Sequence, residues 1–584
     1  MKNKQSLKGI MPTIKKVVAY AKPYKVYFFL SIIFAFIAIG LNMFLPVILG
    51  KAIDCVVGVG AVDFKKLTRI LIFIGAQAVT SAVFEWFEVY FENILTNRTA
   101  QNMRNQCFEK INKVPLKYID NKPHGDIMNT IINDIENVTD GFLSGFKSIL
   151  SGIVTIVSVI IFMVTINVPM ALVVIILAPL SLLISGYITK KSKKLYNEQV
   201  NKLGEVSAYS EEMLGNIKVV KAFNNEQENL KNFQKINKEL YTSSEKASFY
   251  ASLAGPCTRF INGTLYAIVA VSGAFVCIRG QISVGQVSTF LSYVDNYTSP
   301  FNELASIVAD IQLAVASANR VFSLLEEEDA VSDEGNPNII NCNGEVKLKD
   351  VCFSYTQQSK LIENLNVTAK KGQTIAIVGP TGCGKSTIIN LLMRFYDINS
   401  GKIMVSNRDI QKVTRKSLRN CYGMVLQESW LYNASIRDNI AYGKPDATME
   451  EIIEASKLAH AHSFIEKMPD GYDTIITENA DNVSAGQKQL ICIARIMLTK
   501  PPMLILDEAT SNIDTRTEMN IQQAFDYIMD GRTCFIVAHR LSTIINADMI
   551  LVMNKGKIIE QGTHQELLAK NGFYTQLFNS QFGG

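Results

Sequence analysis

The sequence predicts a multidomain chain: an all-α six-helix transmembrane domain followed by an α/β phosphate-loop (P-loop) domain. Three observations carry this reading. Long uncharged stretches fill the first half and stop near residue 330. Beyond that point, short apolar strand patterns alternate with amphipathic helical ones. At residues 379–387, one such strand runs into Gly-Pro-Thr-Gly-Cys-Gly-Lys-Ser-Thr, which fits G-x-x-x-x-G-K-[ST].

The spans come first. Crossing ~30 Å of hydrocarbon takes about 20 predominantly apolar residues. Residues 26–50 contain no charge, and a second candidate covers about 67–88. Residues 148–189 are uncharged and long enough for two spans. Asn167-Val168-Pro169 breaks that run, because proline lacks an N–H and disfavours helical geometry in its predecessor. The third and fourth spans then fall at about 146–166 and 169–189, and two more at about 256–278 and 284–308. The first apolar run is too long for a signal-peptide core of roughly 7–15 residues. Lysines cluster before the first span and at 190–194 after the fourth, which places both on the cytoplasmic side. The long second-to-third and fourth-to-fifth connections are expected as helical extensions into the cytosol. Ile10 to Lys22 is expected as an amphipathic helix on the inner membrane face, ended by Pro23.

Composition agrees. The length of 584 residues exceeds one core, and 19% charged residues with a mean hydropathy of +0.15 lean towards a membrane protein. The net charge of +5 is small for this length and gives no nucleic-acid reading. Ten cysteines without C-x-x-C spacing and five histidines point away from zinc or haem. The six cysteines from Cys342 onward read as ordinary residues of a reducing cytosol.

The P-loop residue types follow from phosphate chemistry. Gly379, Gly382 and Gly384 let backbone N–H groups wrap a phosphate, with Pro380, Thr381 and Cys383 completing the turn. The following helix N-terminus adds positive potential. Lys385 neutralises β/γ-phosphates, and Ser386, next to Thr387, ligates Mg²⁺. Downstream, Met503-Leu-Ile-Leu-Asp507-Glu508 is an apolar strand ending in two carboxylates. Asp507 is expected at the magnesium and Glu508 beside an attacking water. Two acids after a strand are more often an exposed turn, but a P-loop upstream reverses that weighting.

Val483-Ser484-Ala485-Gly486-Gln487 precedes a helical stretch. Here the chain resembles an ABC transporter half-transporter of the bacterial multidrug exporter type. The segment matches the L-S-G-G-Q signature imperfectly. The resemblance implies an antiparallel β subdomain and an α-helical signature subdomain around the P-loop core. It also assigns residues in order: Tyr355 to stacking on adenine, Gln427 to the Q-loop glutamine that touches magnesium, and Asp514 in Ser511-Asn-Ile-Asp514 to the D-loop. His539 becomes the switch histidine that acts with Glu508 in catalysis. Ser484, Gly486 and Gln487 become the groups that reach the nucleotide of a facing domain. Pro115 to Asp134 and Gly215 to Glu226 resemble the two cytoplasmic loops. The implied domains are an interfacial helix (1–25), the exporter membrane domain (26–323), a linker (324–342) and the ATP-binding domain (343–584). The implied setting is the cell membrane, multi-pass, with the ATP-binding domain in the cytoplasm. ATP and Mg²⁺ are the implied cofactors.

The resemblance further implies ATP-driven export of small amphiphilic molecules by alternating access, within membrane lipids and alongside a second half-transporter. Ala485 departs from the signature glycine while Glu508 and His539 stay intact, so a different partner chain is favoured over a copy of itself. The alternatives are a regulatory or channel-like ATP-gated subunit, or a lipid or peptide exporter. Asp295, Arg259, Glu85 and Glu88 lie in or near spans and are candidates for a cavity that takes cationic amphiphiles; the plainer alternative is that they pair with neighbours.

Overall fold

The computed structural model describes residues 7–56, 62–356, 361–426, 429–477, 482–507, 515–537 and 541–582. They form two compact units, one from Met1–Asn112 with His124–Glu327 and the other from Lys113–Pro123 with Glu328–Gly584.

The first unit is helical throughout. Helix α1 (Leu7–Ala21) gives way at Lys22–Tyr24, where Pro23 sits in a 3₁₀ turn. Six long helices occupy the positions expected for spans: α2 (Lys25–Asp54), α3 (Phe64–Lys113), α4 (Gly145–Ile166), α5 (Val168–Gly215), α6 (Glu226–Ile278) and α7 (Val284–Leu325). Among the described residues, four helical runs are long and apolar enough to cross a membrane: Pro12–Asp54, Phe64–Lys113, His124–Ile166 and Glu226–Ile278. Val168–Leu177 is a shorter apolar stretch. The expected break between the third and fourth helices falls at Asn167, whose extended backbone ends α4 and whose side chain accepts from Met170 N to start α5. Helices α5 and α6, with 48 and 53 residues, are far longer than a bilayer needs, but the two expected extensions are interrupted: α3 ends at Lys113 before the short helix Leu116–Asp120, and the short helix Ile217–Ala222 separates α5 from α6.

Helix α7 is held against α2 by polar groups. Tyr293 Oη donates to Met43 O at 2.7 Å and Thr289 Oγ1 to Pro46 O at 2.9 Å. Asp54 accepts from Ser283 Oγ and Gly285 N, both at 2.7 Å, and so caps the start of α7. Near the other end, Asp134 is 1% exposed and accepts from Ser317 Oγ at 2.8 Å and Arg320 Nε at 2.7 Å. Asp134 lies in one of two π-helical turns, Thr130–Asp134 and Asp140–Ser144. Helix α7 runs through Leu325, and Leu324 is buried.

The second unit is α/β. Strands β1 (Val346–Phe353), β2 (Ile362–Ala369), β4 (Ser400–Val405) and β5 (Arg408–Asp409) form an antiparallel sheet in the order β2-β1-β4-β5. A bulge between Leu348 and Val351 keeps Val346, Leu348, Val351 and Phe353 all facing inward. The second sheet runs β10-β9-β3-β8-β7-β6, from β3 (Thr374–Val378), β6 (Tyr422–Val425), β7 (Met503–Asp507), β8 (Thr533–Val537), β9 (Met549–Asn554) and β10 (Lys557–Gly562). All its neighbours pair in parallel except β10 with β9. The central strand β3 is apolar on both faces, as a strand covered on both sides must be. Ile375 and Ile377 face the core of the antiparallel sheet and helix α8 (Lys385–Leu392). Ala376 and Val378 face a helical core that includes α9 (Met449–Leu458), α10 (Ala485–Thr499) and α11 (Thr515–Met529).

Candidate nucleotide-binding site

The parallel strands end on one edge of the sheet, at Val378, Val537, Asp507 and Val425. The loop after β3 is the P-loop. Gly379 has φ 154°, and a Cβ there would lie 2.3 Å from Met553 O, so only glycine fits. Gly384 caps α8 at φ 104° and brings no side chain to cover the first N–H groups of the helix. Pro380, Thr381 and Gly382 are exposed at the rim, while Cys383 is buried beneath it. Burial pushes the Cys383 thiol up, against the pull of Lys385. Lys385 Nζ donates to Gly379 O at 2.8 Å and Pro380 O at 3.2 Å, which sets its ammonium across the loop. Ser386 is exposed in the first turn of α8 and Thr387 is buried. An anion fits this cradle of open helix N–H groups and one lysine.

Tyr355 follows β1 and is tied to α8. Its hydroxyl donates to Thr387 Oγ1 at 3.4 Å and accepts from Asn390 Nδ2 at 3.3 Å. Its ring meets Phe353 and Tyr396 edge-on, each at 4.9 Å between centroids. Tyr396 and Asn390 carry no motif of their own, so sequence reasoning passed over them. The Tyr396 hydroxyl donates to Asp120, in the short helix Leu116–Asp120. Burial and that carboxylate both push the Tyr396 phenol up.

Asp507 ends β7, two strands from the P-loop strand on the same edge. Its carboxylate and the Ser386 hydroxyl are hard oxygen donors of the kind magnesium takes. Glu508, Asp514, His539 and Gln427 lie outside the described residues.

The signature segment stands elsewhere. Ser484 caps α10 in a reciprocal box: its hydroxyl accepts from Gln487 N at 3.3 Å, and Gln487 Oε1 accepts from Ser484 N at 2.9 Å. Gly486 is buried in the first turn. The structure therefore brings Tyr355, the P-loop and Asp507 to one region, while Ser484, Gly486 and Gln487 head a helix that packs on the opposite face of the sheet from α8.

Of the charged residues near spans, Glu88 pairs with Lys147 at 2.8 Å, which also reaches Glu92 at 2.5 Å. Glu85 accepts from Asn42 Nδ2 at 2.8 Å. Asp295 and Arg259 are exposed on their helices.

Known proteins match both units. Residues 28–301 match the family described as ABC transporter transmembrane region, and residues 362–511 match the family described as ABC transporter. The uncharacterized ABC transporter ATP-binding protein YfiC of Bacillus subtilis is 38% identical over 582 residues, spanning 100% of this chain and 96% of its own. The chain belongs to the ABC transporter family. This ABC transporter is also similar to a fatty acid ABC transporter ATP-binding/permease protein of Mycobacterium tuberculosis, at 40% identity over 88% of this chain and 82% of the other. It is 34% identical to the putative multidrug export ATP-binding/permease protein YgaD of Bacillus subtilis, over 98% of this chain and all of the other. It is an ATPase coupled to transport, a multi-pass membrane protein whose fused ATP-binding domain is cytoplasmic.

Proposed function

We propose that this ABC exporter moves small amphiphilic, drug- or lipid-like molecules outward by alternating access across six spans. Its segments are an interfacial helix (1–25), the membrane domain (26–323), the linker (324–342) and the ATP-binding domain (343–584). The observation that carries the ATP half is the P-loop cradle, with Lys385 set across its mouth.

ATP sits with its phosphates on residues 379–387 and its adenine against Tyr355. Lys385 exchanges the loop carbonyls for phosphate oxygens. Ser386 and Asp507, with Gln427, would hold magnesium, which would supply positive charge beside the phosphates. Glu508 orients the attacking water and His539 stabilises the developing charge, so positioning and electrostatics carry the rate. Ser484, Gly486 and Gln487 serve the nucleotide of a facing domain, with Asp514 at the shared boundary. The placement of α10 and α8 on opposite faces of one sheet supports this head-to-tail arrangement. Ala485 supports a partner that is a different half-transporter, with one full hydrolytic site and one weak one.

The relatives support both substrate classes, since one is named for fatty acids and another for multidrug export. A lipid exporter is therefore the second reading. Reconstituted vesicles given a cationic dye or a fluorescent fatty acid test the two. ATP-dependent accumulation of the dye supports the drug reading, accumulation of the fatty acid supports the lipid one, and leakage without a gradient marks a channel.

A further inference from the structure

Helices α2, α4 and α7 meet at one end of the first unit around a cleft of about 540 Å³, within the range of about 300–1,000 Å³ typical of small-ligand sites. Gly50, Gly285 and Thr289 line it where α2 crosses α7. A Cβ on Gly50 would lie 2.2 Å from Thr289 Oγ1, and one on Gly285 2.0 Å from Gly50 O, so the two helix backbones are in contact there. Phe44, Val47, Phe162 and Ile166 form an apolar wall. Phe44 and Phe162 meet edge-on at 5.2 Å between centroids, and Phe162 stacks on the buried Tyr293 at 5.6 Å.

The polar lining is one-sided. Asp54 is the one carboxylate among the lining residues, and both its oxygens already accept, Oδ2 from Ser283 Oγ and Oδ1 from Gly285 N. It faces the N-terminus of α7, whose dipole offsets its charge. Thr165 Oγ1 donates to Phe162 O at 2.7 Å and Thr289 Oγ1 to Pro46 O at 2.9 Å. Gln286 Oε1 accepts from Ser283 N at 2.9 Å. The donors left over are the Lys51 ammonium and the Gln286 side-chain amide N–H groups, which have no partner among the described residues. Both side chains are exposed. An apolar wall beside spare donors is the complement of an alkyl chain with an anionic head.

We propose that this cleft binds a long-chain alkyl carboxylate on the exterior side of the membrane, as the site from which the exported molecule leaves. The proposal rests on the outward-export reading above and narrows its substrate to anionic single-chain amphiphiles. Helix α7 ends at Leu325, where the chain passes on to the cytoplasmic ATP-binding domain, so its start at Val284 is the exterior end. The carboxylate accepts from Lys51 Nζ and Gln286 Nε2, two donor groups for two oxygens. Bonds of this kind with an ionised partner are roughly twice as strong as neutral ones. The chain lies along Phe44, Val47, Phe162 and Ile166, out of water. A cationic amphiphile gains nothing here, because it would face Lys51 while Asp54 is already engaged by α7.

The test uses the full chain in phosphatidylcholine nanodiscs without nucleotide. Dansyl-undecanoic acid reports affinity, and a diazirine-bearing fatty acid reports location after illumination and digestion. Binding saturates, with crosslinks on residues 44–54, 162–166 or 283–289. Lys51→Gln weakens it about tenfold, since it removes a charged hydrogen-bond donor, and Lys51→Arg keeps most of the affinity. Both variants melt with the wild type, because Lys51 holds no other described group. The alkyl alcohol of equal chain length competes about tenfold less well than the acid. The proposal is overturned if binding does not saturate, if the crosslinks fall elsewhere, or if Lys51→Gln binds as the wild type does. It also falls if the alcohol or phosphatidylglycerol competes as well as the fatty acid. Binding needs no turnover, so the two readings fail separately. Saturable binding here with no ATP-driven transport contradicts outward export and leaves the binding site standing, whereas transport of the fatty acid without binding here overturns the site alone.

Discussion

Tyr396 joins two parts of the second unit: its ring packs edge-on against Tyr355, and its hydroxyl donates to Asp120. The residue expected to stack on adenine is thereby one ring away from the chain segment that continues helix α3. Tyr396→Phe keeps the ring and removes the hydrogen bond. The expected outcome is an ATP KM within about twofold of wild type, because a single exposed hydrogen bond is worth about 1 kcal/mol and leaves Tyr355 in place. Transport per ATP should drop. Tyr396→Ala should raise the ATP KM as well, since Tyr355 loses an aromatic neighbour. Parallel ATPase and transport assays check both.

Ser484 has two candidate roles that one substitution separates. Aspartate caps a helix as well as serine does, so Ser484→Asp should leave the melting temperature nearly unchanged. A carboxylate facing the phosphates of a partner's nucleotide should nonetheless cut ATPase activity by about tenfold or more, a loss of at least ~1.4 kcal/mol of transition-state binding. Unchanged ATPase would restrict Ser484 to capping.

Removing Arg320 should destabilise the first unit. Asp134 would be left buried with only the Ser317 and Thr130 hydroxyls as partners. Breaking such a pair costs up to about 3–5 kcal/mol when fully buried; the Arg320 side chain is 51% exposed, which puts the expected loss nearer ~1–3 kcal/mol. The double variant Asp134→Asn with Arg320→Gln should recover part of it. Thermal unfolding in detergent measures the difference.

The linker around Asp333 should be acid-sensitive, since Arg415 N donates to Asp333 and Arg415 Nη1 to Val331 O. The Arg415 N–H and the Arg415 charge hold the Asp333 carboxyl below its ordinary range. A carboxylate with a depressed folded value contributes fully above its unfolded pKa of about 3.9 and loses that contribution as pH falls through the lower folded value. Limited proteolysis of residues 330–343 should therefore accelerate below about pH 4 in the wild type. In Asp333→Asn it should be faster at neutral pH and no longer respond to that drop.

Much of this was legible because it is local. The P-loop is nine consecutive residues whose chemistry needs no tertiary information, and the break at Asn167 follows from the proline two residues on. The capping box of Ser484 and Gln487 is likewise local, but its residues were read only for the signature they resemble. What escaped was tertiary. Lys147 meets Glu88 only because α3 and α4 come together, and Cys342 meets Ser406 only because the linker folds back. The apolar signal of α7 is diluted by polar residues such as Thr289 and Ser317, which are buried against neighbouring helices rather than facing lipid.

The central claim is that ATP hydrolysed with Glu508 as the water-orienting acid drives outward movement of an amphiphile. Its most direct test is ATP-dependent uptake of a cationic dye or fluorescent fatty acid into inside-out vesicles, with the wild type beside Glu508→Gln, each prepared in the same way. Uptake against a gradient by the wild type, abolished in Glu508→Gln while ATP binding persists, is the predicted result. Equal uptake by both, or none by the wild type for either substrate despite ATP hydrolysis, would contradict the account.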